Sequence, residues 1–177
     1  MKYLKDTGFV IKKVNLGDAD RFVTILSKNH GKVEVLAKGV RKITSRRASA
    51  LEPLNLIKFQ AIERKKTPLL TEVELINPFS SSKNSLSNIS LIFLVCELVD
   101  KLCPYGQKNE SVFNLVGQTL NKISLQNISS TIFNFEKELI TILGFWDANK
   151  DFRNQDDIQS YIESIIERKI KTTVMFG

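Results

Sequence analysis

The sequence predicts an α+β protein of two domains: a five-stranded β-barrel over residues 1–79, followed by an all-α helical domain over residues 80–177. Two observations give this prediction. Apolar and polar residues alternate with a period near two in the first part, and the period becomes helical beyond the polar bridge at residues 77–82. The charge changes at the same place, because residues 1–79 hold 16 Lys and Arg against 8 Asp and Glu, whereas residues 80–177 hold 10 against 11.

Five strand-like runs make up the first part, at residues 7–16, 21–27, 32–39, 54–61 and 69–75. Asn29, His30 and Gly31 form a hairpin turn between the second and third runs. In the fourth run the apolar positions shift from even to odd at Ile57, which predicts a β-bulge. Short strands joined by hairpin turns and one longer connection favour a closed or nearly closed barrel, with the OB-fold as the leading candidate.

Four amphipathic or apolar runs predict the helices of the second part. The first covers residues 85–102, the second follows Asn109, the third is capped by Ser129 or Ser130, and the fourth begins near Asn154. The tail, residues 167–177, ends in the apolar Val174, Met175 and Phe176. We expect this tail to dock on the barrel as a strand, with a frayed end as the alternative.

Composition argues against several classes of protein. No apolar run of 18 residues exists and the N-terminus has no apolar signal-peptide core, so we expect a cytoplasmic protein without a membrane segment. Cys96 and Cys103 are too far apart on one helix for a disulfide, and the only histidine, His30, is distant from both. We therefore predict reduced, buried cysteines, no metal site and no cofactor.

The feature that points to function is a basic loop that leads into the fourth strand. No acidic residue interrupts it, and a second basic turn follows before the fifth strand. A solvated surface loop has the same composition, but the concentration of positive charge in the first half favours binding of phosphate groups. The loop contributes Lys38, Arg41, Lys42, Arg46 and Arg47, and the turn contributes Arg64, Lys65 and Lys66.

Residue types for catalysis are sparse. The tight acidic pairs are Asp18 with Asp20, in a turn, and Asp156 with Asp157, in the first turn of a helix where acids favour the helix dipole. No Gly-rich phosphate-binding loop is present. The sequence therefore predicts a protein that is not an enzyme.

The run DADRFVTILSKNHGKVEVLAKGVRKITSRRASALEPLNLIKF, residues 18–59, resembles the N-terminal domain of the RecO family of bacterial recombination mediators. LITILGFWDANK, residues 139–150, and KIKTTVMF, residues 169–176, are similar to later segments of that family. The family's basic loop corresponds to the basic loop defined above, and the Arg of its second strand corresponds to Arg21. Many family members carry a four-cysteine zinc module after the residues matching Gly144 and Phe145, whereas residues 146–157 here contain no cysteine.

The resemblance implies a nucleoid-associated protein without catalytic activity. Such a protein binds single- and double-stranded DNA, anneals strands coated by single-strand-binding protein, and works with RecR to load the recombinase in DNA repair. Two alternatives remain open at this point: a scaffold whose basic face binds an acidic protein partner, and a general nucleic-acid-binding OB protein. The acidic, apolar-ended tail of single-strand-binding protein would need an apolar pocket rimmed by cations, for which Lys101, Lys137 or Arg153 are available.

Overall fold

The computed structural model describes residues 2–123, 127–146 and 149–172. Five strands are followed by four helices, as the sequence predicts. The strands are β1 (Tyr3–Leu16), β2 (Asp20–Ser27), β3 (Gly31–Ala37), β4 (Leu56–Ile62) and β5 (Leu69–Asn77). The helices are α1 (Leu86–Leu102), α2 (Glu110–Ile123), α3 (Ile128–Ile142) and α4 (Gln155–Ile166).

The chain forms two compact units. The first contains Met1–Phe79 together with Pro104–Glu110, and the second contains Ser80–Cys103 and Ser111–Gly177, so the connection between α1 and α2 belongs to the first unit. Its attachment is a backbone contact: the Gly106 N–H donates to the carbonyl of Lys32 at 2.9 Å. The Lys32 ammonium lies 4.3 Å from the centre of the Tyr105 ring.

The sheet of the first unit closes on itself in the order β1-β2-β3-β5-β4. The long β1 pairs with β4 through residues 3–9 and with β2 through residues 8–16, both antiparallel. A single parallel pair, Leu36 with Leu69, joins β3 to β5. The alternating apolar positions of all five strands face inward, with Val10, Ile25, Val35, Ile57 and Leu70 among the buried residues.

Shifts of the strand register explain where the alternation fails. The predicted shift occurs between Leu56 and Ile57, and a further one lies between Gln60 and Ala61 on the same strand. A shift in β1, between Val10 and Lys12, allows Phe9, Val10 and Ile11 to be buried in succession. An extra residue in one strand changes which face its later side chains occupy, which accounts for the irregular pattern of β1.

In the second unit, α1 buries most of its surface but leaves a stripe with Leu86, Ile89 and Phe93 exposed, whereas α2, α3 and α4 each bury one face. The helix α4 begins near Asn154, as predicted, and Asn154 is its cap, but α3 is capped by Asn127 and not by Ser129 or Ser130. The Asn127 side chain accepts from the Ser129 N–H, which leaves the two serines inside the first turn. Cys96 and Cys103 are buried thiols and do not form a disulfide, which confirms the prediction for them.

The last described residues contact α1. The Glu97 carboxylate accepts the backbone N–H groups of Lys171 and Thr172, each at 2.9 Å. The expected docking of Val174 to Phe176 lies outside the described residues. Within the described ranges, no helix is long and apolar enough to cross a membrane.

Candidate nucleic-acid interface

The basic loop leaves β3 and is fixed to the β1–β2 turn. The backbone N–H of Arg41 donates to the carbonyl of Ala19 at 2.9 Å, and its guanidinium donates to the carbonyl of Gly17 at 2.7 Å. The Asp20 carboxylate accepts the Gly39 N–H at 2.8 Å. Gly39 has φ +64°, a conformation that favours glycine at this exit from the strand.

Arg47 ties the other end of the loop to the barrel. Its half-buried guanidinium donates to the carbonyl of Lys38 at 2.7 Å and to that of Leu70 at 3.3 Å. A planar guanidinium with several donors suits two carbonyl acceptors at once. Arg41 and Arg47 thus hold the loop in place, a structural contribution that their charge alone does not indicate.

Besides Arg41, which is exposed but bound to Gly17, the loop has three exposed cations: Lys38, Lys42 and Arg46. Among the described residues, none of them lies within 4.0 Å of a carboxylate. Between them, the side chain of Ile43 is fully exposed. Cations without acidic partners on a loop of fixed shape are available for an external anion.

The other two groups of predicted residues lie in different settings. Arg21 is half-buried at the start of β2, where its Nε donates to the side-chain oxygen of Asn15 at 2.9 Å. Arg64, Lys65 and Lys66 are exposed in the β4–β5 turn, and the described residues offer them no carboxylate within 4.0 Å.

Hydrogen bonds and strand register place these elements at one end of the barrel. The β1–β2 turn contacts the basic loop through Arg41. The β4–β5 turn is joined to β3 by the Leu36 N–H, which donates to the carbonyl of Pro68 at 2.8 Å. We call this end the basic rim, defined by Arg21, residues 38–47 and residues 64–66.

At the β2–β3 turn, a buried carboxylate organises the hairpin. Asp6 accepts hydrogen bonds from the Ser27 hydroxyl, from the Asn29 backbone N–H at 2.8 Å, and pairs with Nδ1 of His30 at 2.9 Å. Burial by itself would raise the pKa of Asp6, but the hydrogen bonds outweigh burial and hold the pKa below its ordinary value. His30 is thus a structural partner of a carboxylate 24 positions away, which its neighbours in sequence do not reveal.

A buried acid in α3 was also not predicted. Glu136 is 0% exposed and lies on the inward face with Ile132 and Leu139. Burial raises its pKa to about 8, with only a partial offset from the side-chain amides of Gln155 and Gln159. The Glu136 carboxyl is therefore largely protonated at neutral pH. The side-chain oxygen of Gln155 is buried and has no partner among the described residues. If the Gln155 amide rotates, this oxygen becomes an acceptor for the proton of Glu136.

The connection between α3 and α4 forms an aromatic cluster. Lys137 lies 5.0 Å from the Trp146 ring centre, Trp146 packs edge-on against Phe152 at 5.1 Å, and Lys150 lies 4.3 Å from the Tyr161 ring centre. An open cleft of about 620 Å³ beside it is lined by Phe152, Tyr161, Lys150 and Arg153 as well as Asp151 and Asp157. Lys101 is exposed in the last turn of α1, apart from this cleft.

No group of three or more potential metal ligands is present among the described residues.

Comparison with known proteins gives matches over most of the chain. The family model for the recombination protein O N terminal region matches residues 1–79, and that for the recombination protein O C terminal region matches residues 83–161. Relatives named DNA repair protein RecO include those of Pelotomaculum thermopropionicum, 29% identical over 82% of this chain, Symbiobacterium thermophilum, 30% over 78%, and Acetivibrio thermocellus, 30% over 82%. The matched parts cover 57%, 55% and 59% of those relatives, so the chain spans less than two thirds of their length.

The two family models follow each other in chain order, the first on the strands and the second on the helices. The chain belongs to the RecO family.

Proposed function

We propose that this chain is a DNA-binding mediator of recombinational repair that has no catalytic activity and acts in the cytoplasm at the nucleoid. The first unit would be an OB-fold, a proposal supported by the cyclic strand order β1-β2-β3-β5-β4 and by the long β1 shared between two partners. Its basic rim would bind the phosphates of single- and double-stranded DNA.

The observation that carries the proposal is the set of exposed loop cations Lys38, Lys42 and Arg46. They stand on a loop that Arg41 and Arg47 hold in one shape, so little conformational entropy is lost when phosphates bind. Phosphate contacts give affinity without sequence preference. Neutralising two strands at one rim would reduce their mutual repulsion and allow base pairing to anneal them.

The test is an annealing assay with complementary labelled strands and the triple variant K38Q/K42Q/R46Q. The proposal predicts at least a tenfold loss of affinity for single-stranded DNA and a matching loss of annealing rate. K28Q/K101Q/K122Q serves as the control, because it removes equal charge from exposed positions outside the rim. Equal affinities for the two triple variants would contradict the proposal.

A second candidate function is binding of an acidic protein tail, and the cleft formed by the α3–α4 connection and α4 supports it. An acidic peptide with an apolar end, such as the tail of single-strand-binding protein, needs an apolar surface beside cations. The cleft supplies Phe152 and Tyr161 with Lys150 and Arg153. Binding of a fluorescent peptide of this kind should be lost in R153E and retained in K101E; retention in R153E would exclude this cleft.

Cooperation with RecR belongs to the same proposal and is tested by co-sedimentation with the wild-type chain.

A further inference from the structure

The outer face of β1, β4 and β5 carries a second cleft, of about 590 Å³. It is lined by Lys5, Arg47, Lys58, Phe59, Gln60, Glu72, Val73 and Glu74. The cleft begins where the basic rim ends, since Arg47 both lines it and binds the carbonyl of Lys38.

The strand register sets the layout of its polar side chains. Lys5 stands opposite Gln60, which stands opposite Glu72. Lys58 stands opposite Glu74 in the next row. Lys5 and Lys58 are therefore diagonal neighbours on adjacent strands, about 7–8 Å apart at their backbones.

Both lysines are exposed, and neither lies within 4.0 Å of a carboxylate among the described residues, although Glu72 and Glu74 share the cleft. The Lys5 ammonium lies 5.9 Å from the centre of the Tyr3 ring. Together with the fixed Arg47, these two lysines give the cleft three cations against two acids. The cleft therefore offers a ligand mainly positive charge.

The outer face of β2 and β3 differs in charge. Its outward positions include the half-buried Phe22 and Leu36, and its exposed charged residue is the acidic Glu34. Lys32, the cation of this face, is only 4% exposed and lies against Tyr105. A polyanion leaving the basic rim therefore meets cations across β1 and β4, but an exposed acid across β2 and β3.

We propose that a single-stranded nucleic acid bound at the basic rim continues into the cleft of β1, β4 and β5, where Lys5 and Lys58 contact its phosphates and Arg47 adds positive charge at the entrance. This inference rests on the proposed function, and it names the path of the strand and two binding residues, Lys5 and Lys58. Glu72 and Glu74 oppose the phosphates and limit the affinity.

The experiment is fluorescence anisotropy with a labelled single-stranded 25-mer, over a series of salt concentrations, for the wild type and two double variants. K5E/K58E should bind at least tenfold more weakly, and its plot of log affinity against log salt should be less steep by about 1.4, since each lost phosphate contact on a single strand removes about 0.7. E72Q/E74Q should bind more tightly than the wild type, because it removes two negative charges without changing shape.

K28E/K122E is the control matched in charge, two exposed lysines outside the cleft and the basic rim. K5Q/K58Q and K28Q/K122Q replace these variants if thermal melting shows that charge reversal disturbs the fold. The inference is overturned if loss of Lys5 and Lys58 costs no more affinity than the same change at Lys28 and Lys122, or if E72Q/E74Q fails to strengthen binding. A wild type that shows no salt-dependent binding would instead refute the proposed function, so the two failures are distinguishable.

Discussion

Replacing Glu136 by glutamine should remove the part of the pH dependence of stability that this carboxyl contributes between pH 5 and pH 8. The folded carboxyl has a pKa raised to about 8, against 4.5 for the free side chain. In this pH range the unfolded chain has released the proton and the folded chain retains it, so the folded state binds more protons and its stability falls as pH rises.

The magnitude follows from the pKa shift. Each pH unit between the two pKa values costs about 1.4 kcal/mol, so the wild type should lose about 3 kcal/mol from this group between pH 5 and pH 8. The amide that E136Q introduces is neutral and has a shape similar to that of the carboxyl. The variant should therefore be more stable than the wild type at pH 8, with a smaller difference at pH 5.

Urea denaturation followed by circular dichroism at pH 5, 6, 7 and 8 measures the effect. The control is E138Q, an exposed glutamate on the same helix, which should keep the wild-type dependence. If E136Q retained the full pH dependence, or if E138Q reduced it equally, the assignment of a buried, protonated Glu136 would be wrong.

Two further predictions concern the barrel. D6N should lower the free energy of unfolding at pH 7 by about 1–3 kcal/mol, because the Ser27, Asn29 and His30 groups lose a charged acceptor. Since the pKa of Asp6 is lowered in the folded state, the stability that Asp6 contributes is present above its ordinary pKa and is lost in acid. Urea denaturation curves of D6N and the wild type should therefore converge below pH 4, and a constant gap between them would contradict this cause. G31A should lower the thermal midpoint, because its Cβ would lie 2.1 Å from the carbonyl oxygen of Gln107 and φ is +69°. The backbone conformation alone costs about 1–3 kcal/mol. G17A, at φ +54° with open space around it, measures that cost without a steric clash, so equal midpoints for G31A and G17A would exclude the clash at Gly31.

Local patterns were enough to predict most of the elements. Alternation located the strands, and the change of phase at Ile57 identified a bulge that the register contains. The start of α4 could be placed near Asn154 because the helical apolar period begins shortly after it. Asn127 was missed because the two serines that follow it are equally good caps by residue type, and only the backbone decides among them.

Contacts between residues distant in sequence could not be predicted. The pairing of His30 with Asp6, and the attachment of Arg47 to Leu70, depend on which strands become neighbours. Glu136 shares the helical face of Ile132 and Leu139, so its position in the helical repeat indicated burial, whereas its charge indicated an exposed position. For the basic rim, the sequence identified the cations but not which of them hold the loop and which remain available.

The central claim is that the basic rim binds DNA through its phosphates, and the salt dependence of binding by the wild-type chain tests it most directly. If about four phosphates are neutralised on single-stranded DNA, log affinity should fall with log salt at a slope near −3. K38Q/K42Q/R46Q should reduce the steepness to about one quarter of that value, because about one of the four phosphate contacts would remain. A slope indistinguishable from zero, or an unchanged slope in the triple variant, would contradict the account.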